Sequence, residues 1–191
     1  VHIGKGNIAP LALAESLPYS GSKWWKVVRL PSRCLESKER VGLMFQGAAA
    51  LSLDAKGRLA IPARHREALA SAADGRLVLT AHPHRCLLLY PEPAWAPIRD
   101  QVLAASSFNV QAAAIKRLLV GHAREEEMDA AGRLLVAPEL RQFAQLEKQV
   151  WLVGQGSHFE IWSDAGWQKQ QEAVFALGDQ FLPPGLENLA L

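Results

Sequence analysis

The 191-residue chain has little cysteine, no long apolar run and no strong excess of charge. Its two cysteines, Cys34 and Cys86, are too few for a disulfide framework and are typical of a reducing compartment. No apolar segment approaches the roughly 20 residues that a membrane helix needs. The formal net charge of +2 excludes a general polycationic coat for nucleic acid. Any contact with nucleic acid must therefore come from local basic patches.

The chain also lacks the motifs of common enzymes and metal sites. Residues 154–158 resemble a nucleophile turn but lack the Gly-x-Ser-x-Gly order. A Gly-x-x-x-x-Gly-Lys phosphate loop does not occur. His84 and Cys86 could share a strand face, but no fourth ligand for zinc has a clear spacing, so we expect a turn with a buried cysteine. We predict a protein without catalytic activity, metal or cofactor.

What the chain does contain is an internal repeat. Asp54-Ala-Lys-Gly-Arg58 recurs as Asp129-Ala-Ala-Gly-Arg133, at an offset of 75 residues. An apolar pair and a proline follow each copy, and the correspondence continues at an offset of 72 after a three-residue deletion. An agreement of this length predicts a duplicated structural unit.

Each copy of the motif has the composition of a tight turn between two strands. The aspartate can accept hydrogen bonds from nearby backbone amides, and Gly57 and Gly132 can supply a positive φ. In the first copy we predict strands over 45–53 and 58–61 and a helix over 63–70 that begins after Pro62. Asp54 is expected to cap the turn or to hold Arg58 in an ion pair.

The remaining pattern predicts a strand pair and two helices in the first unit, and a parallel set of elements in the second. The predicted strands are 76–81, 85–90, 124–128, 133–136, 149–153 and 158–162. The predicted helices are 94–104, 110–122, 138–146 and 165–176. The sequence therefore predicts an α+β protein.

Four segments follow from this pattern. Residues 1–43, interrupted by glycine and proline and holding seven basic and three acidic residues, are predicted to be an unstructured extension. The first repeat with its connecting helices spans 44–122 and the second spans 123–180. A flexible tail is predicted over 181–191.

The repeat resembles the MraZ family of bacterial transcriptional regulators. The resemblance rests on Met44-Phe-Gln-Gly47, on residues 53–69 around the first motif and on residues 128–141 around the second. It implies two tandem AbrB-like swapped-hairpin half-barrels packed as a pseudo-dimer with peripheral helices, and further association into a ring. It also implies binding of double-stranded DNA at GTGG-like repeated operators, with repression of the division and cell-wall gene cluster that includes the protein's own operon.

Carried over residue by residue, the resemblance makes Arg58 and Arg133 the DNA-reading arginines, with Asp54, Asp129, Gly57 and Gly132 supporting the turns. An arginine fork can bridge the two major-groove acceptors of guanine, whereas Lys56 suits phosphate as a point charge. Arg64 is a further predicted DNA-binding residue. The second copy has Ala131 for Lys56 and Glu139 for Arg64, and lies beside residues 125–127, all glutamate. We therefore predict that the first copy makes more of the DNA contact. The alternative is that each Asp–Arg pair is only a structural ion pair.

Two further hypotheses concern the partners and the N-terminal segment. The family is linked to a ribosomal-RNA methyltransferase, so a protein-interaction module is the alternative to a cytoplasmic, nucleoid-associated DNA-binding protein without membrane contact. Trp24-Trp25 must be encoded TGGTGG, so residues 1–43 could be a translated operator and leader ahead of a start at Met44. The alternative for this segment is a basic tail that adds nonspecific DNA affinity.

Overall fold

The structure, a computed structural model, describes residues 44–72, 75–177 and 185. The strands within these residues are β1 (Ala48–Ser52), β2 (Arg58–Ala60), β3 (Arg76–Ala81), β4 (Leu87–Pro91), β5 (Arg124–Glu127), β6 (Arg133–Leu135), β7 (Gln149–Gly154) and β8 (Phe159–Ser163). The helices are α1 (Ala63–Ala72), α2 (Glu92–Ala104), α3 (Val110–Ile115), α4 (Pro138–Phe143) and α5 (Asp164–Ala176). A π-helical segment, Lys116–Val120, continues α3. The predicted α+β class is confirmed.

The strands form two antiparallel sheets with an internal symmetry. The larger sheet has the order β1-β7-β8-β4-β3-β5, and β2 pairs with β6 as a separate two-stranded ribbon. Strands β1 to β4 of the first repeat correspond in order to β5 to β8 of the second. Replacing each strand label by that of its counterpart reverses the order of the larger sheet and leaves the ribbon unchanged. The duplication seen in the sequence thus appears as an approximate twofold relation between the two repeats.

The two repeats exchange their first strands. β1 of the first repeat pairs with β7 of the second, with Ala50 opposite Trp151. β5 of the second repeat pairs with β3 of the first, with Leu77 opposite Glu126. β4 and β8 pair at the centre of the sheet. Each edge strand, β1 or β5, therefore pairs with a strand of the other repeat, and the sheet is complete only when both repeats are present.

One hydrophobic core joins the ribbon to the larger sheet. Leu59 of β2 and Leu134 of β6 are fully buried and belong to the same cluster as Leu77, Leu152 and Phe159. Burial of a leucine side chain contributes about 1.5–3 kcal/mol to stability. The packing of the two central leucines therefore fixes the ribbon against the rest of the fold.

Two of the predicted α-helices end several residues earlier than predicted. The helix predicted over 110–122 is α-helical only to Ile115, and the amide of Gly121 donates to the carbonyl of Lys116, which is π-type spacing. The helix predicted over 138–146 ends at Phe143, because Gln145 has a φ of +53° and the amide of Leu146 turns back to the carbonyl of Arg141. A left-handed residue that is not glycine leaves no sequence signal for this end.

The predicted extension over 1–43 and, apart from Gly185, the predicted tail over 181–191 lie outside the described residues. In the described part of the chain, none of the helices has the length and apolar character to cross a membrane.

Candidate nucleic-acid interface

The first motif turn, residues 54–58, is closed by the carboxylate of Asp54. Its Oδ1 accepts hydrogen bonds from the backbone amides of Lys56 and Arg58, both at 2.9 Å. Its Oδ2 accepts a hydrogen bond from Nε of Arg58 at 2.8 Å, and Nη2 of Arg58 lies 2.8 Å from the same oxygen. Gly57 has a φ of +79°, which favours glycine. One carboxylate thus fixes both the turn backbone and the direction of the arginine.

The second motif turn, residues 129–133, repeats this geometry. Oδ1 of Asp129 accepts hydrogen bonds from the amides of Ala131 and Arg133, both at 2.9 Å. Oδ2 accepts a hydrogen bond from Nε of Arg133 at 2.8 Å, and Gly132 has a φ of +73°. The two turns therefore hold their arginines with the same local hydrogen-bond geometry.

The β2–β6 ribbon holds the two turns together. Leu59 lies opposite Leu134 at its centre. Beyond the strands, the amide of Val136 donates to the carbonyl of Gly57 at 3.0 Å, and the amide of Ile61 donates to the carbonyl of Gly132 at 2.9 Å. Each turn glycine is thus hydrogen-bonded to the chain that leaves the opposite strand. Neither turn can move far without breaking the pairing of the other repeat.

The two faces of the ribbon differ in character. Successive strand residues point to opposite faces, so the burial of Leu59 and Leu134 places Arg58 and Arg133 on the outward face. Leu135 shares that face and is 42% exposed. The outward face is therefore a narrow, accessible surface that carries two arginines over a rigid apolar base.

The two arginines are not held equally. Nη1 of Arg58 also lies 3.6 Å from Oδ2 of Asp129, so Arg58 approaches the carboxylates of both turns. Among the described residues, the carboxylate partner of Arg133 is Asp129. The side chain of Arg58 is 27% exposed and that of Arg133 is 38% exposed. The first arginine is thus more restrained than the second.

Hydrogen bonding stabilises the charged form of both aspartates. The amide of Arg58, followed by its guanidinium, lowers the pKa of Asp54 to about 2 from an ordinary value of 3.8. The amide of Arg133 likewise lowers the pKa of Asp129, with a smaller contribution from its guanidinium. Both aspartates are therefore ionised at neutral pH, and each carries a negative charge beside its arginine.

Two more arginines lie on the turns, and each comes from the other repeat. Arg66 of α1 donates from Nε to the carbonyl of Ile61 at 2.6 Å, and its guanidinium lies against Gly132: a Cβ placed on this glycine would be 2.8 Å from Cζ. Arg141 of α4 donates from Nε to the carbonyl of Val136 at 3.1 Å and lies against Gly57, where a Cβ would be 2.7 Å from Cζ.

The sequence reasoning did not assign Arg66 or Arg141 to the site. The available signal was the repeat offset, since the two residues are 75 positions apart, as are the motif arginines. What the sequence could not show is that each helix arginine crosses to the turn of the other repeat. Such a crossing depends on the strand exchange.

The other predicted basic residues lie in different surroundings. Lys56 is exposed on the first turn. Arg64 donates from Nε to Nε2 of His65 at 3.0 Å, and its Nη2 lies 3.8 Å from a Cβ placed on Gly47. Gly47 precedes β1, whereas the first turn follows it. The structure thus places Arg64 toward the other end of β1 from Arg58.

The acidic segment lies on the edge strand β5. Glu126 is half-buried opposite Leu77, and burial raises the pKa of its carboxyl. Glu127 is exposed opposite Arg76. Glu139, the counterpart of Arg64, forms an ion pair with Arg124. Of these acidic residues, Glu139 is therefore the one that an arginine, Arg124, neutralises in an ion pair.

The His84–Cys86 segment forms a turn that ends in a buried thiol. Cys86 is fully buried, and burial raises its pKa well above the ordinary range. The amide of His82 donates to the carbonyl of Cys86 at 3.0 Å. Within the described ranges, no group of three or more His, Cys, Asp or Glu residues is arranged to hold a metal ion.

Comparison with known proteins agrees with the repeat. The family model described as "MraZ protein, putative antitoxin-like" matches the chain twice, over residues 44–118 and 119–178. The transcriptional regulator MraZ of Aromatoleum aromaticum is 69% identical over 148 residues, which cover 78% of this chain and 100% of that protein.

Two other relatives give the same coverage. The proteins of the same name from Dechloromonas aromatica and from an Azoarcus species are each 66% identical over 148 residues, again 78% of this chain and 100% of the relative. The double family match and these identities confirm the resemblance drawn from the motifs. The chain belongs to the MraZ family.

Proposed function

We propose that this protein is a DNA-binding transcriptional regulator that reads DNA with the outward face of the β2–β6 ribbon. The major groove of B-DNA admits a two-stranded β-ribbon. The observation that carries the proposal is the pair of turn-fixed arginines, Arg58 and Arg133, on the exposed face of a ribbon whose other face is buried. The names of the relatives, transcriptional regulators, agree with it.

Each arginine has the chemistry to read guanine. A planar guanidinium can donate to O6 and N7 of one guanine in the major groove. The aspartate of each turn holds its arginine in one orientation, which lowers the entropy lost on binding. Because Asp54 and Asp129 are themselves repelled by phosphate, their role in this proposal is to position Arg58 and Arg133. Lys56 and Arg64 are proposed as phosphate contacts.

The operator and the assembly follow from the small size of the ribbon. Two arginines specify few base pairs, so useful selectivity needs several copies bound together. We propose that the protein forms a ring of AbrB-like swapped-hairpin units on GTGG-like repeats, and represses the division and cell-wall gene cluster that includes its own operon. The exchange of β1 and β5 supports the swapped-hairpin description. This places the protein in the cytoplasm, at the nucleoid, and requires no catalytic step or cofactor.

A mobility-shift titration tests this function. We expect wild-type protein to bind a duplex with GTGG repeats in preference to a scrambled duplex. Arg58→Ala and Arg133→Ala should each weaken binding by about 1–3 kcal/mol and reduce the preference. Arg99→Ala, which removes an arginine of α2 paired with Asp100, is the matched control. Equal binding by wild type, both turn variants and the control contradicts the proposal.

A protein-interaction role remains the second proposal, with a ribosomal-RNA methyltransferase as the partner. The feature that favours a protein contact is apolar surface: Phe108 and Val110, before and at the start of α3, are 101% and 82% exposed. Pull-down of the methyltransferase by wild type but not by Phe108→Ser would support this role, and equal capture by the two proteins would contradict it.

A further inference from the structure

We propose that Arg66 and Arg141 bind DNA phosphates, each forming an anion site on the turn of the other repeat. The proposal deepens the DNA-binding function and rests on it. It assigns different tasks to the four guanidinium groups that lie at the two turns. Arg58 and Arg133 contact DNA bases, whereas Arg66 and Arg141 contact the phosphates of the DNA backbone.

The balance of charge at the two turns favours phosphate binding by Arg66 and Arg141. Arg58 and Arg133 are each paired with a turn aspartate, so the two motif pairs together contribute no net charge. In the part of the chain that the structure describes, no carboxylate lies within 4.0 Å of a side-chain nitrogen of Arg66 or Arg141. The positive charge of the turns therefore comes from these two residues and Lys56. Phosphate affinity depends on such uncompensated charge.

The two guanidinium groups are also held in fixed positions. Each uses Nε for a backbone carbonyl at the end of its own strand, which fixes the plane of the group. Each lies directly on a glycine of the opposite turn, where any Cβ would collide with it. Both side chains remain partly exposed. A cation held in this way loses little freedom when a phosphate binds.

The two sites differ in their charged neighbours. Arg141 shares the first turn with exposed Lys56, whereas Arg66 shares the second turn with Ala131. A cleft of about 330 Å³ beside Gly132 is lined by Arg66 and also by two acidic residues, Glu67 and Asp129. The site at the first turn is therefore more positive. Loss of Arg141 should weaken DNA binding more than loss of Arg66.

The test compares Arg66→Gln and Arg141→Gln with wild type on the GTGG-repeat duplex across a series of salt concentrations. Glutamine keeps an amide donor for the backbone carbonyl and removes the charge. The slope of log affinity against log salt is negative, and each variant should reduce its magnitude by about one. At about 0.15 M salt this corresponds to a loss of about fivefold. Preference over a scrambled duplex and the thermal midpoint should stay close to wild type.

Arg99→Gln, with the same change in formal charge on α2, should leave the slope unchanged. An unchanged slope in Arg66→Gln and Arg141→Gln overturns the inference. A loss of affinity that comes with a lower thermal midpoint and an unchanged slope also overturns it, because it assigns a purely structural role. If wild type does not bind the duplex, the proposed function fails as well. If Arg58→Ala reduces binding but neither glutamine variant alters the slope, only the inference is lost.

Discussion

The two motif turns have the same backbone and different electrostatics. In both turns, one aspartate accepts hydrogen bonds from two backbone amides at 2.9 Å and from the Nε of an arginine at 2.8 Å. Only at the first turn does a lysine, Lys56, stand where the second has Ala131, and only Arg58 approaches both aspartates. Duplication thus preserved the part of the motif that fixes geometry, while charge varied around it.

The comparison also shows that a repeat and a turn site are different units. The arginine that lies on each turn glycine comes from the other repeat: Arg141 on Gly57 and Arg66 on Gly132. The second turn, which the sequence presents as poor in basic residues, receives a guanidinium from the first repeat. A count of charges within each repeat therefore misjudges the surface that each turn presents.

The largest expected effect is on stability, from substitutions of the turn glycines. Gly57→Ala and Gly132→Ala should each cost about 1–3 kcal/mol, because alanine disfavours φ values of +79° and +73° and its Cβ meets an arginine. Gly75→Ala is the matched control, since Gly75 has a φ of +80° and a Cβ there meets no described atom within 4 Å.

Urea unfolding of the three variants measures the difference. The free energy of unfolding should fall further for Gly57→Ala and Gly132→Ala than for Gly75→Ala, and the excess is the cost of displacing the guanidinium that the added Cβ meets. An equal loss in all three variants would show that the guanidinium groups of Arg66 and Arg141 do not pack tightly against the turn glycines.

A smaller effect is expected from exchanging the one basic residue that distinguishes the turns. Lys56→Ala should reduce the magnitude of the salt slope of DNA binding by about one, and Ala131→Lys should increase this magnitude by the same amount. The double variant should return to the wild-type slope, because the two changes are independent phosphate contacts. A double variant that keeps the low slope of Lys56→Ala would mean that the second turn does not reach the DNA backbone.

The smallest effect is on acid stability. Because the pKa of Asp54 is lowered to about 2, its ion pair and turn hydrogen bonds stabilise the fold fully above the ordinary value of 3.8, and this contribution is lost as pH falls towards 2. The lowered pKa of Asp129 acts in the same direction.

Urea midpoints measured from pH 5 to pH 2 test this prediction. Asp54→Asn should lower the midpoint at pH 5 and flatten its fall below pH 4, and Asp129→Asn should do the same to a smaller degree. Asp100→Asn, a change at an exposed carboxylate of α2, is the control. A midpoint of Asp54→Asn that falls as steeply as that of wild type would contradict the assignment.

The parts of the site that the sequence predicted are the local ones. The Asp–Gly–Arg turn is specified within five residues by a side-chain acceptor and a positive φ, and the strands beside it follow from the alternation of Leu59 and Ile61 with Arg58 and Ala60. The same local reasoning predicted that α1 begins directly after Pro62. These features depend on neighbours in the chain.

The parts that the sequence could not predict are non-local. Nothing in the repeat itself states that β1 pairs with β7 and not with a strand of its own repeat, and the crossing of Arg66 and Arg141 depends on the same exchange. The end of α4 was missed because Gln145, which is not a glycine, adopts the left-handed conformation there. Tertiary packing determines these features.

The most direct test of the central claim replaces guanine with 7-deazaguanine in the GTGG repeats, which removes the N7 acceptor from the major groove. Wild-type protein should lose affinity for the modified duplex. The Arg58→Ala/Arg133→Ala variant should bind modified and unmodified duplexes equally, because the groups that read N7 are gone. Wild-type affinity that is unaffected by the modification would contradict reading of the major groove by the ribbon.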